Sequence, residues 1–383
     1  MTLSGFIVRN TFRNKRRSVL TLISISFSLL LLTLMISIWR SFYVDQVAPE
    51  AARRLIIRDR VSLAFFLPAY YRDKIRSIRG VTAVAPLTWF GGRYIDDRPE
   101  HFFAQLATDP DEYLKVASDK IVPPDQLKAW QQDRAGALVD VTLAKKYGWK
   151  LGDRITLQGT IFELNPELTI RAIYQRDPPQ NALYFNAKYL EEAVPWFKGQ
   201  AGWYSTQIGS SGDVARVSGE IDNMFRNSPL QTKTESEKAF QLGFVASLGN
   251  VKAFILGICG AVVFTIMLVS ANTMAMSVRS RTREVALLKT LGFTRQRVLS
   301  IFVSESVALA LAGGLLGILV AIPVIWWLTR SFIALGVPLA MKVNLQTAGL
   351  SLLVALTLGL ASGYLPAFNA SRMNIVDGLR HIG

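Results

Sequence analysis

The chain has 383 residues, half of them hydrophobic, with 43 Lys/Arg against 28 Asp/Glu, a formal net charge of +15 and one cysteine. One cysteine excludes an intrachain disulfide, and two histidines, His101 and His381, are too few for a metal cluster. The positive charge would suit a nucleic-acid protein, but its placement excludes that: residues 40–252 hold 28 basic and 25 acidic residues, while the rest holds 15 basic and only 3 acidic.

In chain order, Ser4–Arg17 places Phe6, Ile7 and Phe12 among five basic residues, which predicts a short amphipathic helix, residues 1–17, lying on a membrane surface. Ser18–Trp39 then runs 22 residues without a charge. At 1.5 Å per residue about 20 residues cross a hydrocarbon core roughly 30 Å thick, so this run predicts a first transmembrane helix over 18–39. It is too long for the apolar core of a cleaved signal peptide and reads as an anchor.

Residues 40–234 alternate strand and helix signals and predict a mixed α+β domain large enough for its own core. Ala69–Ile78 is helix-like, with Tyr71, Ile75 and Ile78 on one face. Val81–Trp89 is extended, and Pro86 suggests an edge strand. Asp119–Arg134 is polar and reads as an insertion or sub-domain. Val141–Tyr147 is a short helix stopped by Gly148, followed by a turn at Gly152-Asp153 into a strand. Asp213–Phe225 is an amphipathic helix. The stretch from Glu235 lacks proline, which predicts one helix running through a stalk, 235–252, into the second span. Such a helix would be roughly 65 Å long and stand out of the bilayer.

Three further apolar runs follow: Ala253–Val278 with no charge, Val298–Thr329 with only Glu305, and Val343–Ser371 with none. They predict spans over 253–278, 298–329 and 343–371. Gly257 with Ala261, Gly313 with Gly317 and Gly359 with Gly363 have the small-residue spacing that lets helix backbones approach closely. The segment Arg279–Arg297 carries six Lys/Arg and one acid between two spans. By the positive-inside rule this loop, the N-terminus and the tail 372–383 are cytoplasmic, and the α+β domain is outside. The fold expected is a polytopic α-helical membrane protein with four transmembrane helices and a large α+β extracytoplasmic domain between the first two. The sequence has no GxxxxGK[ST] phosphate loop, HExxH, CxxC or GxSxG, so no hydrolytic or phosphate-cradling machinery is evident in it. The α+β domain shows no ligand motif, and its aromatics Phe65, Phe66, Trp89 and Trp130 suit a core as well as a contact surface.

RTREVALLKTLGFTRQRVLSIFVSESVALALAGGLLG (Arg281–Gly317) resembles the coupling segment and third span of the FtsX/MacB-like permease family of bacterial ABC systems. YLPAFNASRMNIVDGLR (Tyr364–Arg380) is similar to that family's C-terminal pattern, with Gly378 where alanine is usual. LAKKYGWKLGDRITL (Leu143–Leu157) looks like an element of the MacB-type external core domain. The resemblance implies a non-catalytic membrane subunit of a bacterial cytoplasmic (inner) membrane that exports a substrate by mechanical transmission. A separate ATPase subunit would bind ATP and Mg, and no cofactor, metal or nucleic acid would be held by this chain. A second permease copy, a periplasmic membrane-fusion protein and an outer-membrane channel are the further partners implied. FtsX-like activation of an envelope hydrolase and LolC/LolE-like lipoprotein extraction are the alternatives.

The resemblance places the ATPase contact on a helix at Thr282–Leu291, ended by Gly292. Val285, Leu288 and Leu291 fall on one apolar stripe, edged by Arg281, Arg283, Glu284 and Lys289 as ion-pairing groups.

Overall fold

The computed structural model describes residues 15–44, 51–177, 179–247, 249–334 and 341–373. The predicted surface helix up to Asn14 and the tail beyond Met373 lie outside these residues, as does His381.

In chain order, α1 (Lys15–Tyr43) is followed by β1 (Arg54–Asp59), β2 (Leu67–Pro68), α2 (Tyr71–Arg76), β3 (Val81–Trp89), β4 (Ala104–Thr108), α3 (Pro110–Val116) and α4 (Pro124–Gln132). Next come β5 (Gly136–Asp140), α5 (Val141–Tyr147), β6 (Arg154–Thr156), β7 (Glu167–Tyr174), β8 (Ala182–Asn186), α6 (Ala187–Ala193), β9 (Gln200–Ala201), β10 (Trp203–Ile208), α7 (Val214–Met224) and β11 (Thr232–Ser236). The chain ends with α8 (Glu237–Ser247), α9 (Val251–Ser280), α10 (Thr282–Thr290), α11 (Arg295–Ala334) and α12 (Leu345–Arg372). These elements make two compact units, an α+β domain from β1 to α8 and a helical unit of α1, α9, α10, α11 as far as Leu328, and α12.

In the helical unit, α1, α9, α11 and α12 are long and apolar enough to cross a membrane. Ile25, Leu29 and Leu32 of α1 meet Ile266 of α9 and Ala355 and Leu358 of α12 in a shared core. Hydroxyls bridge the helices where apolar packing alone would not fix register: Thr33 Oγ1 donates to Ser351 Oγ (3.1 Å) and Ser362 Oγ to Ser270 Oγ (2.7 Å). Close approach falls on the small residues of α11 and α12. A Cβ added to Gly317 would lie 2.6 Å from the Ser26 carbonyl oxygen, and one on Gly313 2.5 Å from Ile25 Cγ2. At Gly359 and Gly363 it would meet the Cβ atoms of Ala310 (2.9 Å) and Ser306 (2.6 Å). Among the described residues the approach predicted at Gly257 and Ala261 is not made: no atom outside its own helix would lie within 4 Å of a Gly257 Cβ, and both residues are exposed.

The α+β domain is built on a nine-stranded mixed sheet of order β11-β1-β10-β3-β4-β8-β5-β7-β6, with β4–β8 and β5–β7 parallel. Tyr71, Ile75 and Ile78 sit buried on one side, as their helical spacing predicts. Helix α5 ends on Gly148 at φ +69°, the left-handed geometry that favours glycine at this position. Three expectations are corrected. Strand β3 is interior, not an edge, but its ladder to β4 starts only at Leu87, so Pro86 has no lost donor on that side and its carbonyl accepts from Thr108 Oγ1 (2.7 Å). Asp119–Arg134 is no insertion, because α4 covers β5 and β7 and buries Trp130 completely.

The third correction concerns the stalk. Glu235 and Ser236 belong to β11, opposite Ile56 and Leu55, so no helix begins there. Helix α8 stops at Ser247, Gly249 takes φ +109°, and Asn250 caps α9 by accepting from the Ala253 N–H (3.0 Å). A glycine in a conformation closed to other residues, followed by an N-cap, divides what composition alone reads as continuous helix.

Candidate functional site

Helix α10 is fixed at both ends by its own sequence. Its C-terminus closes as a Schellman motif: Phe293 N–H donates to Leu288 O (3.0 Å) and Gly292 N–H to Lys289 O (3.1 Å), with Gly292 at φ +89°. At its start, Arg281 Nη1 donates to Glu305 Oε2 of α11 at 2.8 Å, and both side chains are buried. Lys289 Nζ donates to the Met373 carbonyl (2.6 Å), tying α10 to the end of α12.

The predicted contact stripe is thereby split. Val285 and Ala286 are each 1% exposed, and Val285 packs with Met274, Val298, Phe302, Ala367 and Ala370 of the same chain. Leu288 lines a cavity of about 20 Å³ with Arg281, Glu284, Val298, Ile301 and Phe302. Leu291 points outward at 69% exposure, joined by Leu287 at 58% and by exposed Arg283. Positions 283, 287 and 291 share one face by their spacing of four. Leu287 was missed because it and Leu288 are the same residue type, and only the way α10 is rolled onto α11 and α12 separates them. Arg281 and Lys289 are engaged inside the chain rather than edging an outward stripe.

A second polar cluster, inside the α+β domain, has no counterpart in the sequence reading. Arg54 at the start of β1 donates to Glu237 Oε2 (2.8 Å), to the Val116 carbonyl (3.0 Å) and to Asp119, whose other oxygen accepts from Arg176. Glu237 is the first residue of α8, so this group clamps the helix onto the sheet. Beside it Lys120 is enclosed by the rings of Tyr113, Tyr174 and Tyr184, its Nζ 5.2–5.5 Å from their centroids. Burial and then Arg176 push the Lys120 ammonium down to about 7, against the pull of Asp119 and Glu237. Burial alone would raise Asp119, but Lys120, Arg54 and Arg176 together hold it down to about 2. Burial raises all three tyrosines, so they stay neutral in the folded domain across the range where Lys120 titrates.

The sign of the pH effect follows. The Lys120 amine has a folded pKa below its ordinary value near 10.4, so its charging penalty is complete below about pH 7 and is relieved as pH rises towards 10. Lys120→Met is expected to stabilise the full chain at pH 6.5 by roughly 2–4 kcal/mol and by progressively less towards pH 10. Thermal unfolding followed by tryptophan fluorescence at several pH values checks this, and a variant with the wild-type pH slope would contradict it.

Four membrane-length helices, with a separate α+β domain between the first two, define a polytopic membrane protein carrying an inserted domain after its first helix. The chain belongs to the MacB/FtsX type of ABC transporter permease. Residues 18–230 match the MacB-like periplasmic core domain, and residues 254–375 match the FtsX-like permease C-terminal domain. It is 24% identical to an uncharacterized ABC transporter permease of Methanocaldococcus jannaschii over 98% of this chain and 96% of that one. It is 32% identical to the uncharacterized permease YvrN of Bacillus subtilis over 40% of this chain and 34% of that one. It is 34% identical to the macrolide export ATP-binding/permease protein MacB of Rhodopirellula baltica over 35% of this chain but 19% of that longer protein.

Proposed function

We propose that this chain is the membrane subunit of an exporter in which a separate ATPase, binding ATP and Mg, docks on α10 and drives a change in the α+β domain. The reading puts α10 and both termini in the cytoplasm and the α+β domain outside the inner membrane. The observation that carries it is the asymmetry of α10. One face is locked to α11 and α12 by Val285, the Arg281–Glu305 pair and Lys289, while the other presents Arg283, Leu287 and Leu291 to solvent. Two exposed leucines beside an arginine on a rigid helix form a small apolar surface with a charged rim, the pattern of a protein contact.

In this reading a displacement of α10 passes along the chain at Arg281 into α9, and within the α+β domain the Glu237–Arg54 pair couples α8 to β1. Arg281, Val285, Leu288, Lys289 and Gly292 hold α10 in place in this scheme, and Arg283, Leu287 and Leu291 touch the ATPase.

Leu287→Glu with Leu291→Glu is expected to abolish co-purification with the ATPase and to reduce permease-stimulated ATP hydrolysis at least tenfold, with the melting temperature of the permease unchanged. Full ATPase stimulation by the double variant would overturn the docking role.

A further inference from the structure

The α7–β11 corner of the α+β domain holds a groove of about 330 Å³ lined by Arg60, Asp222, Asn223, Arg226, Gln231, Thr232 and Lys233. Its walls are charged and amide side chains, which suits a polar ligand and not the apolar, drug-like kind. The arginines are held in place from behind. Arg60 Nη1 donates to Gln231 Oε1 (2.9 Å), Gln231 Nε2 donates to the Arg226 carbonyl (2.8 Å), and Arg226 Nη2 donates to Asn223 Oδ1.

What distinguishes this corner is its uncompensated charge. Most arginines of the α+β domain are matched with carboxylates, among them Arg54, Arg58, Arg72, Arg93, Arg171 and Arg216. Among the described residues of this domain, Arg53, Arg60, Arg79 and Arg226 have no such partner, and two of these four share the groove. The one carboxylate lining it, Asp222, forms an ion pair with neither arginine and accepts instead from Thr232 Oγ1 (2.9 Å), Thr234 Oγ1 (2.7 Å) and the Thr234 N–H (3.1 Å). Lys233 adds a third cation, shared with Glu235 at 3.0 Å.

The same Asp222 contacts decide the mode of binding. Strand β11 is an edge of the sheet and would ordinarily invite an added strand. The Thr234 N–H that such a strand would need is already occupied by Asp222, so recognition falls to the guanidinium side chains. A planar guanidinium suits the paired oxygens of an oxyanion.

We propose that this groove is a binding site for a phosphate-type oxyanion, with Arg60 and Arg226 as the principal donors and Lys233 completing the charge. The phosphate is carried either by a phospholipid headgroup or by a soluble phosphorylated solute. The site lies at the Asp59 end of β1, away from the Arg54–Glu237 clamp, so the proposal is independent of the ATPase-docking reading.

The full chain in phosphatidylcholine nanodiscs is titrated with inorganic pyrophosphate in one arm and with monomeric dihexanoylphosphatidylglycerol in the other. Binding that weakens with added salt is expected in at least one arm, and Arg60→Gln with Arg226→Gln should weaken it at least tenfold. A pyrophosphate response alone marks a soluble source, and a response to the lipid alone marks a headgroup. The matched-charge control Arg53→Gln with Arg79→Gln should bind as wild type. All four positions are substituted singly as well, with melting temperatures confirming the fold. No binding in either arm, or equal weakening in the control, overturns the site.

Discussion

Replacing Glu305 with alanine is expected to destabilise the helical unit by about 3–5 kcal/mol and to remove most of the ATPase stimulation given by the permease. Arg281 is 6% exposed and Glu305 4%. Removing the carboxylate takes its 2.8 Å acceptor from a guanidinium that is shut away from water, and breaking a buried pair is far more damaging than the loss of an exposed one. Functional loss should exceed what stability alone explains, because the pair joins the root of α10 to α11. Arg281→Ala removes the same pair from the other side and should behave similarly. Exchanging the two, Arg281→Glu with Glu305→Arg, should recover part of both properties. Melting temperature in detergent and ATP hydrolysis by the reconstituted pair measure the two effects. A Glu305→Ala protein that melts and couples as wild type would show the pair to be incidental.

Substituting Gly317 with valine should be the most damaging single change in the helical unit outside that pair. The new Cβ would stand 2.6 Å from the Ser26 carbonyl oxygen and 3.0 Å from the Leu30 nitrogen, both backbone atoms of α1 that no rotamer change can move. Helix α1 must shift bodily away from α11, opening the contacts of Ile25 and Leu29 with α9 and α12. Overpacking of well-packed helices commonly loses about 1–3 kcal/mol, and a backbone obstacle places this case at about 3 or above. Gly257→Val has open space before it and should leave the melting temperature of the single chain unchanged. Size-exclusion profiles and thermal melts of the two variants side by side provide the comparison. Equal behaviour would show that α1 does not depend on its approach to α11.

The parts of this molecule that were legible in the sequence are those decided by neighbouring residues. An uncharged run of 22 residues such as Ser18–Trp39 admits few structures other than a span. Val141–Tyr147 followed by Gly148 likewise states its own beginning and end. The α10 boundaries were readable for the same reason, since Gly292 ends the helix locally. Which side of α10 faces outward was not, because the choice between Leu287 and Leu288 is made by how α10 packs on α11 and α12, against Val298, Phe302 and Ala367 further along the chain. The Arg54–Glu237 clamp was invisible, as its partners lie 183 residues apart and each is an ordinary surface-type residue in its own neighbourhood. Pro86 misled because an interior strand can be unpaired on one side for part of its length.

Strands β1 and β11 lie side by side, with Leu55 opposite Ser236. The chain therefore comes in from α1 and goes out towards α9 on adjacent threads, whose spacing within a sheet is about 5 Å. Everything between them, some 180 residues, is in topological terms a single excursion hung from two neighbouring points. Such a module can grow, shrink or be exchanged without rethreading the rest of the protein, because the gap it spans does not depend on what fills it.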